Sequence, residues 1–315
     1  MDFYKNYCGS IDNINQSGWS LLPGDILTSI FDRLPVKNKY RASMACRSWY
    51  QAFKSEHSWR TLCYNERTFT RKKFTMHTGW QRTTDHFRLK IFTSSRAAWI
   101  RTLYLQPDTL LFNFYEFLCV LTNFSEFYEN VQHNPLEKMK AVFVNWNLKY
   151  HKEQHQESLG RFDEAREDKI SQMPTLYGTG GRVLNQLDYF LSHLSSLQTL
   201  SLNNLLLTDA DEIERFMQHL LEYFSDSMKI LKIVNLSKKP FPLLHVGFFG
   251  NLRRLILTAQ HLNDDSLLLL GQCSFLEHLT ILQDENTVGN FDIDRKTWLQ
   301  FYHIKPRVKV HLVCA

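Results

Sequence analysis

One apolar template recurs along most of this chain: Ile100-x-x-Leu103-x-Leu105, Met139-x-x-Val142-x-Val144, Leu197-x-x-Leu200-x-Leu202, Met228-x-x-Leu231-x-Ile233, Leu252-x-x-Leu255-x-Leu257 and Leu276-x-x-Leu279-x-Ile281. The last two apolar positions of each copy are two residues apart, so they share one face of an extended segment while the residue between them points the other way. A chain that repeats such a segment covers its apolar row only by stacking the copies, which favours one elongated array. The copies start 39 and 58 residues apart at first, then 31, 24 and 24, so the later units are regular and the earlier ones carry insertions.

These copies resemble the strands of leucine-rich repeats. The stretch Leu262-Asn263-Asp264-Asp265-Ser266-Leu267 through Leu270-x-x-Cys273-x-x-Leu276 is similar to the cysteine-containing subtype, in which Cys273 is expected to act as a small buried hydrophobe. The resemblance implies an α/β fold over residues 99–315, a curved leucine-rich-repeat solenoid with a parallel sheet on its concave face and a polar insertion at about 149–182. Asn147 stands where the repeat's asparagine belongs, its amide satisfying backbone groups where the strand turns; Asn204 and Asn235 are displaced by one position. Asp209 with Glu212 predicts a capping-box start for a helix bearing Ile213, Phe216, Met217, Leu220 and Leu221. The alternation from Arg307 to Val313 predicts a further strand with no polar cap after it. Either that strand caps by pairing and leaves an open edge, or the sequence is a shortened form of a longer array.

Ahead of the array stands an ordered set of residues: Leu22-Pro23-Gly24-Asp25-Ile26-Leu27, Ile30-Phe31, Leu34-Pro35, Cys46-Arg47-x-Trp49 and Trp59. Pro23 suits a first helical turn, and Ile26, Leu27, Ile30, Phe31 and Leu34 form one apolar face at helical spacing. Pro35 stops that helix; Asn38 is expected to cap a second, and Arg41 to Trp49 to continue it with Ala42, Ala45 and Trp49 on one side. A unit of about 40 residues buries little, so its surplus apolar surface calls for a partner.

This set resembles the F-box, and the whole chain resembles F-box proteins with C-terminal leucine-rich repeats (the F-box only and F-box leucine-rich-repeat families). The resemblance implies an all-α module at 19–62 after an N-terminal tail at 1–18, docking the Skp-type adaptor of an SCF-type cullin-RING ubiquitin ligase. Leu22, Pro23, Ile26, Leu27, Ile30, Phe31, Leu34, Pro35, Cys46, Arg47, Trp49 and Trp59 match family positions that dock or shape the docked module. The sequence departs from the pattern at Asn38-Lys39, where Asp-Leu is usual, and at Ala45, where Val is commoner.

Outward strand positions form the candidate surface for a protein substrate. They are Tyr104, Phe143, Ser201, Lys232, Ile256 and Thr280, flanked by Ala141, Ile230, Arg254, His278, Val234 and Leu282. Tyr104, Phe143, Lys232, Arg254, Ile256 and His278 are the ones expected to bind, because aromatics, arginine and apolar residues in a row suit protein recognition. The competing expectation is that the insertion after Val144 covers some of them.

Composition fits an intracellular interaction protein, cytoplasmic and/or nuclear. The six cysteines are scattered with no C-x-x-C pair, which argues against a disulfide framework or a zinc ribbon. Met1 to Ser10 lacks a long apolar run, and Leu110 to Leu121 is short and interrupted by Asn113 and Glu116, so neither secretion nor a membrane span is expected. The net charge of +5 is uneven, with ten basic residues against Glu66 and Asp85 between Arg60 and Arg101. Residues 63–98 therefore read as a basic linking segment, and nucleic acid ranks last among partners because no RNA-type aromatic motif or basic recognition helix accompanies the charge.

No enzyme or cofactor is expected. His151 and His155 are four apart but lack the metalloprotease Glu after the first His, Gly178-x-Gly180-Gly181 lacks the Lys-Ser/Thr of a phosphate loop, and no Gly-x-Ser-x-Gly elbow occurs. The expected role is the non-catalytic substrate-recognition subunit of the ligase. The alternatives are an adaptor-binding scaffold without a degradation role and, last, a basic nucleic-acid-binding protein.

Overall fold

The computed structural model describes residues 18–65, 67–76, 79–107, 111–129, 134–146, 179–207, 209–236, 240–283 and 293–314. The chain divides into two compact units between Leu62 and Cys63.

The first unit holds α1 (Gly24–Arg33), α2 (Val36–Ser43) and α3 (Arg47–Lys54), followed by a 3-10 turn at Glu56–Trp59. Proline placement sets the first two boundaries. Pro23 precedes α1 in an extended conformation and accepts the Leu27 N–H, while Leu34, extended as a residue before proline must be, ends the helix. Pro35 then opens α2, so Asn38 falls inside the first turn and does not cap it. The continuous helix expected from Arg41 to Trp49 breaks at Met44–Cys46, where Cys46 is extended and α3 starts afresh. That break leaves Ala45 exposed. It also brings Ala52 into the core with Leu27 and Phe31, and Leu22, Ala42, Trp49 and Phe53 pack around them.

The second unit is built on strands β1 (Thr61–Asn65, of which the residues from Cys63 belong to this unit), β4 (Thr102–Gln106), β5 (Ala141–Asn145), β6 (Thr199–Leu205), β7 (Ile230–Asn235), β8 (Arg254–Thr258), β9 (His278–Gln283) and β10 (Lys309–Cys314). They form one sheet in the order β1-β4-β5-β6-β7-β8-β9-β10, parallel from β4 onward. The crossovers carry α5 (Leu111–Glu129), α6 (Gly181–Ser192), α7 (Ala210–Phe224), α8 (Asp264–Leu270) and α9 (Arg295–Ile304).

Register follows the sequence template. Leu103, Val142, Leu200, Leu231, Leu255 and Leu279 pair into one row, and Leu105, Val144, Leu202, Ile233, Leu257 and Ile281 into the next. Both rows are buried, as are the leading residues Ile100, Met139, Leu197, Met228, Leu252 and Leu276. Helical faces meet them: Phe114, Phe117, Leu118 and Leu121 of α5, Val183, Leu187 and Phe190 of α6, and Ile213, Phe216 and Leu220 of α7 are all buried. A mixed α/β unit with a large parallel sheet results, apolar on one face and only partly covered on the other.

Amide side chains close the strand ends. Asn204, at φ 58, donates from Nδ2 to Asn145 Oδ1 and Trp146 O, both at 3.1 Å. Asn235 accepts the Leu207 N–H and returns a bond to Leu207 O, each at 3.1 Å. The displaced asparagines thus satisfy turning backbone, while Asn147 lies outside the described residues. The capping box predicted at Asp209 is not closed: Asp209 accepts the Asp211 N–H, whereas the Glu212 carboxylate accepts the Gly181 N–H at the start of α6. A complete capping box stands instead at Asn263 and Ser266.

The described residues within 63–98, expected as a basic link, carry regular structure. They hold the antiparallel hairpin β2 (Thr70–Thr75) and β3 (Gly79–Thr84) and the helix α4 (His86–Arg96). Phe69 packs against Phe92 and Phe117, and Thr84 donates to Asn113 Oδ1 at 3.1 Å, so apolar and polar contacts tie the segment to α5. The cations Arg71, Lys72 and Lys73 stay on exposed positions. Strand β10 pairs along its length with β9 and comes last in the sheet, with most of its side chains exposed.

Candidate functional site

The helical unit divides the residues singled out in the sequence between interior and surface. Leu27, Phe31 and Trp59 are buried. Leu22, Ile30, Leu34, Cys46 and Trp49 are half-buried, while Pro23, Ile26, Pro35 and Arg47 are exposed. Phe31 is fixed by edge-on contacts with Trp49 at 5.8 Å and Phe53 at 6.4 Å, and Phe53 meets Trp59 at 5.2 Å. The interior residues therefore shape the unit, and the exposed ones lie on its surface. Sequence reasoning missed part of this surface: Trp19, Leu21, Tyr40, Met44 and Tyr50 are also exposed and apolar. Their signal was surplus apolar content on so short a unit, and such exposed apolar side chains make a candidate interaction surface.

Lys39, the departure from the family pattern, has a structural role. It is buried, donates from Nζ to Ser58 O at 2.5 Å and Thr61 O at 3.3 Å, and lies 4.8 Å from the Trp59 ring centroid. Its ammonium is satisfied by two carbonyls and a ring face, which offsets its desolvation. The Asp32 carboxylate accepts the Thr61 N–H at 2.7 Å and the Thr61 hydroxyl at 2.9 Å, anchoring the same turn.

All six positions expected to meet a substrate share the open face of the sheet. Tyr104, Phe143, Ser201, Lys232, Ile256 and Thr280 form one outward row; Thr102, Ala141, Thr199, Ile230, Arg254 and His278 form the neighbouring one. Tyr104 and Phe143 stack at 4.7 Å with rings 11° apart. Arg254 is exposed; Phe143, Lys232, Ile256 and His278 are half-buried; Ser201 is buried. Both rows extend onto β10 through His311 and Lys309, and the His278 and His311 rings stack at 6.1 Å. Those two residues escaped sequence reasoning because β10 departs from the repeat template.

Other reactive groups are accounted for by packing. The Cys273 thiol is buried against the Val246 and Gly247 carbonyls, and burial pushes its pKa up to about 11, which leaves it protonated and inert. Between α6 and α7, Asp188 bonds His219 at 2.5 Å beside a small cavity lined by Leu184, Arg215 and Phe216; burial raises the Asp188 pKa, and the His219 bond opposes the rise. Among the described residues, no group of His, Cys, Asp and Glu is arranged to hold a metal, and no helix is long and apolar enough to cross a membrane. His151, His155 and Gly178 lie outside the described residues.

The chain matches the F-box-like family over residues 19–65. No curated protein matches it. The helical unit is thus an F-box-like domain, attached to a sheet unit that no family match describes.

Proposed function

We propose that this chain is the substrate-recognition subunit of an SCF-type ubiquitin ligase, in which the F-box-like domain docks a Skp-type adaptor and the sheet unit, a leucine-rich-repeat solenoid, holds a target protein. The observation that carries this reading is the F-box-like match on a small helical unit that leaves Ile26, Tyr40, Met44 and Tyr50 exposed around a core too small to cover them. Six template copies in register support the repeat reading, because each strand adds one outward position to a continuous open face. The chain works without catalytic residues of its own: by tethering the target to the cullin-bound conjugating enzyme it raises the effective concentration of target lysines. Such a partner is met in the cytoplasm or nucleus.

The test is co-purification of the full chain with the adaptor. Near-stoichiometric retention is expected, together with its loss in Ile26→Glu, which places a charge on the exposed face without touching the core. A wild-type chain that does not retain the adaptor overturns the reading.

A further inference from the structure

The open face of the sheet changes character from one end to the other. At the β4–β5 end its outward residues are Thr102, Ala141, Tyr104 and Phe143, with the two rings stacked. At the β7–β10 end they include Lys232, Arg254, His278, Lys309 and His311. Lys229 and Arg253, both exposed, enter β7 and β8 beside that cationic end. Neither outward row contains an Asp or Glu from β4 to β10. The nearest acid in the adjoining row is Glu277, 3.9 Å from Arg253; among the described residues no carboxylate pairs with Lys232, Arg254 or Lys309. Like charges on neighbouring strands repel, so folding gains nothing from this grouping and an anionic guest would relieve it.

We propose that this face binds one extended segment of the target protein, with an aromatic or apolar side chain seated against Tyr104 and Phe143 and Asp or Glu side chains facing Arg254, His278 and Lys309. The proposal rests on the substrate-receptor reading and specifies its target class. Neighbouring strands lie about 4.8 Å apart, so β5 to β9 spans about 19 Å, which an extended peptide covers in about six residues. A peptide fits better than nucleic acid for two reasons. The Tyr104 and Phe143 rings cover one another and are not splayed for base stacking. A phosphate backbone would also need cations along its whole track, and the outward positions of β4 to β6 carry none.

The test is selection from a displayed library of random short peptides on the full-length chain, with a single-stranded RNA pool as the competing probe. Selected peptides should pair an apolar or aromatic residue with an acidic run about six residues away. The exposed double substitution Arg254→Glu with Lys309→Glu should cut recovery of these peptides at least about tenfold and select basic runs in their place, and Arg254→Lys should keep the original preference. Selection without acidic enrichment, indifference to charge reversal, or RNA retained through the same residues overturns the proposal. Adaptor retention, measured on the same preparations, separates the two readings. Retained adaptor without acidic selection overturns this inference alone, whereas acidic selection without adaptor overturns the receptor reading and supports the chemistry of the face.

Discussion

The F-box-like unit and the sheet unit bury apolar side chains in opposite ways. In the first, Leu27, Phe31 and Ala52 form a small enclosed cluster with Trp59 buried nearby, and helical side chains as large as Tyr40 and Met44 stay in solvent. In the second, each strand adds the same two buried residues to rows already in place, so coverage is renewed at every crossover. The lesson is about self-sufficiency. A periodic apolar pattern lets a chain cover itself by repetition, whereas a short motif of ordered apolar residues leaves apolar side chains exposed.

The largest effects should separate the units. Phe31→Ala removes a fully buried ring from a core with few other members, and a loss of about 3–5 kcal/mol is expected. Hydrogen exchange should show protection vanishing from α1 to α3 and persisting in β6 to β9. Leu255→Ala, in the middle of the ladder, should cost about 2–5 kcal/mol and show the reverse pattern. Loss of protection throughout the chain in both variants would break the comparison.

Acid should weaken the sheet unit through His261. This ring is buried, donates from Nδ1 to Phe241 O at 2.8 Å, and burial pulls its pKa down to about 4. The unfolded side chain, near its ordinary 6.5, takes up a proton over a range in which the folded one stays neutral. The stability tied to the neutral ring is therefore full above about pH 6.5 and lost as pH falls toward 4, about 3 kcal/mol in all. Urea unfolding across that window should show the slope in wild type and a flatter one in His261→Gln; equal slopes would remove His261 from the account.

Legibility in the sequence tracked this same division. The strand rows were readable because period-two spacing allows only one face to be buried, and the register kept every template position. The F-box-like unit was readable through the order of its residues, but the break at Met44–Cys46 was not, because Ala42, Ala45 and Trp49 keep helical spacing straight across it. Lys39 was legible only as a departure from the motif: between Lys37 and Arg41 it reads as one more solvated cation, and only the fold shows Ser58 and Thr61 turning their carbonyls toward it. The hairpin β2–β3 was hidden by its charge, since Arg71, Lys72 and Lys73 mask a segment that Phe69 pins to α5.

The smallest expected effect concerns two helix starts that look alike in sequence. Asp209 and Glu212 have capping-box spacing, yet Glu212 reaches the Gly181 N–H, so its carboxylate serves the first turn of α6 and not its own helix. At α8, Asn263 and Ser266 exchange both bonds, each at 2.8 Å, and close the box. Replacing Asn263 with Ala leaves a donor at that start unpaired and should cost about 1 kcal/mol. Glu212→Ala should instead loosen the start of α6, leaving α7 capped by Asp209. Hydrogen exchange resolved to single amides decides between the assignments. Faster exchange at Gly181 and not at Asp209 is expected for Glu212→Ala, and the opposite order would restore the local box that the spacing suggests.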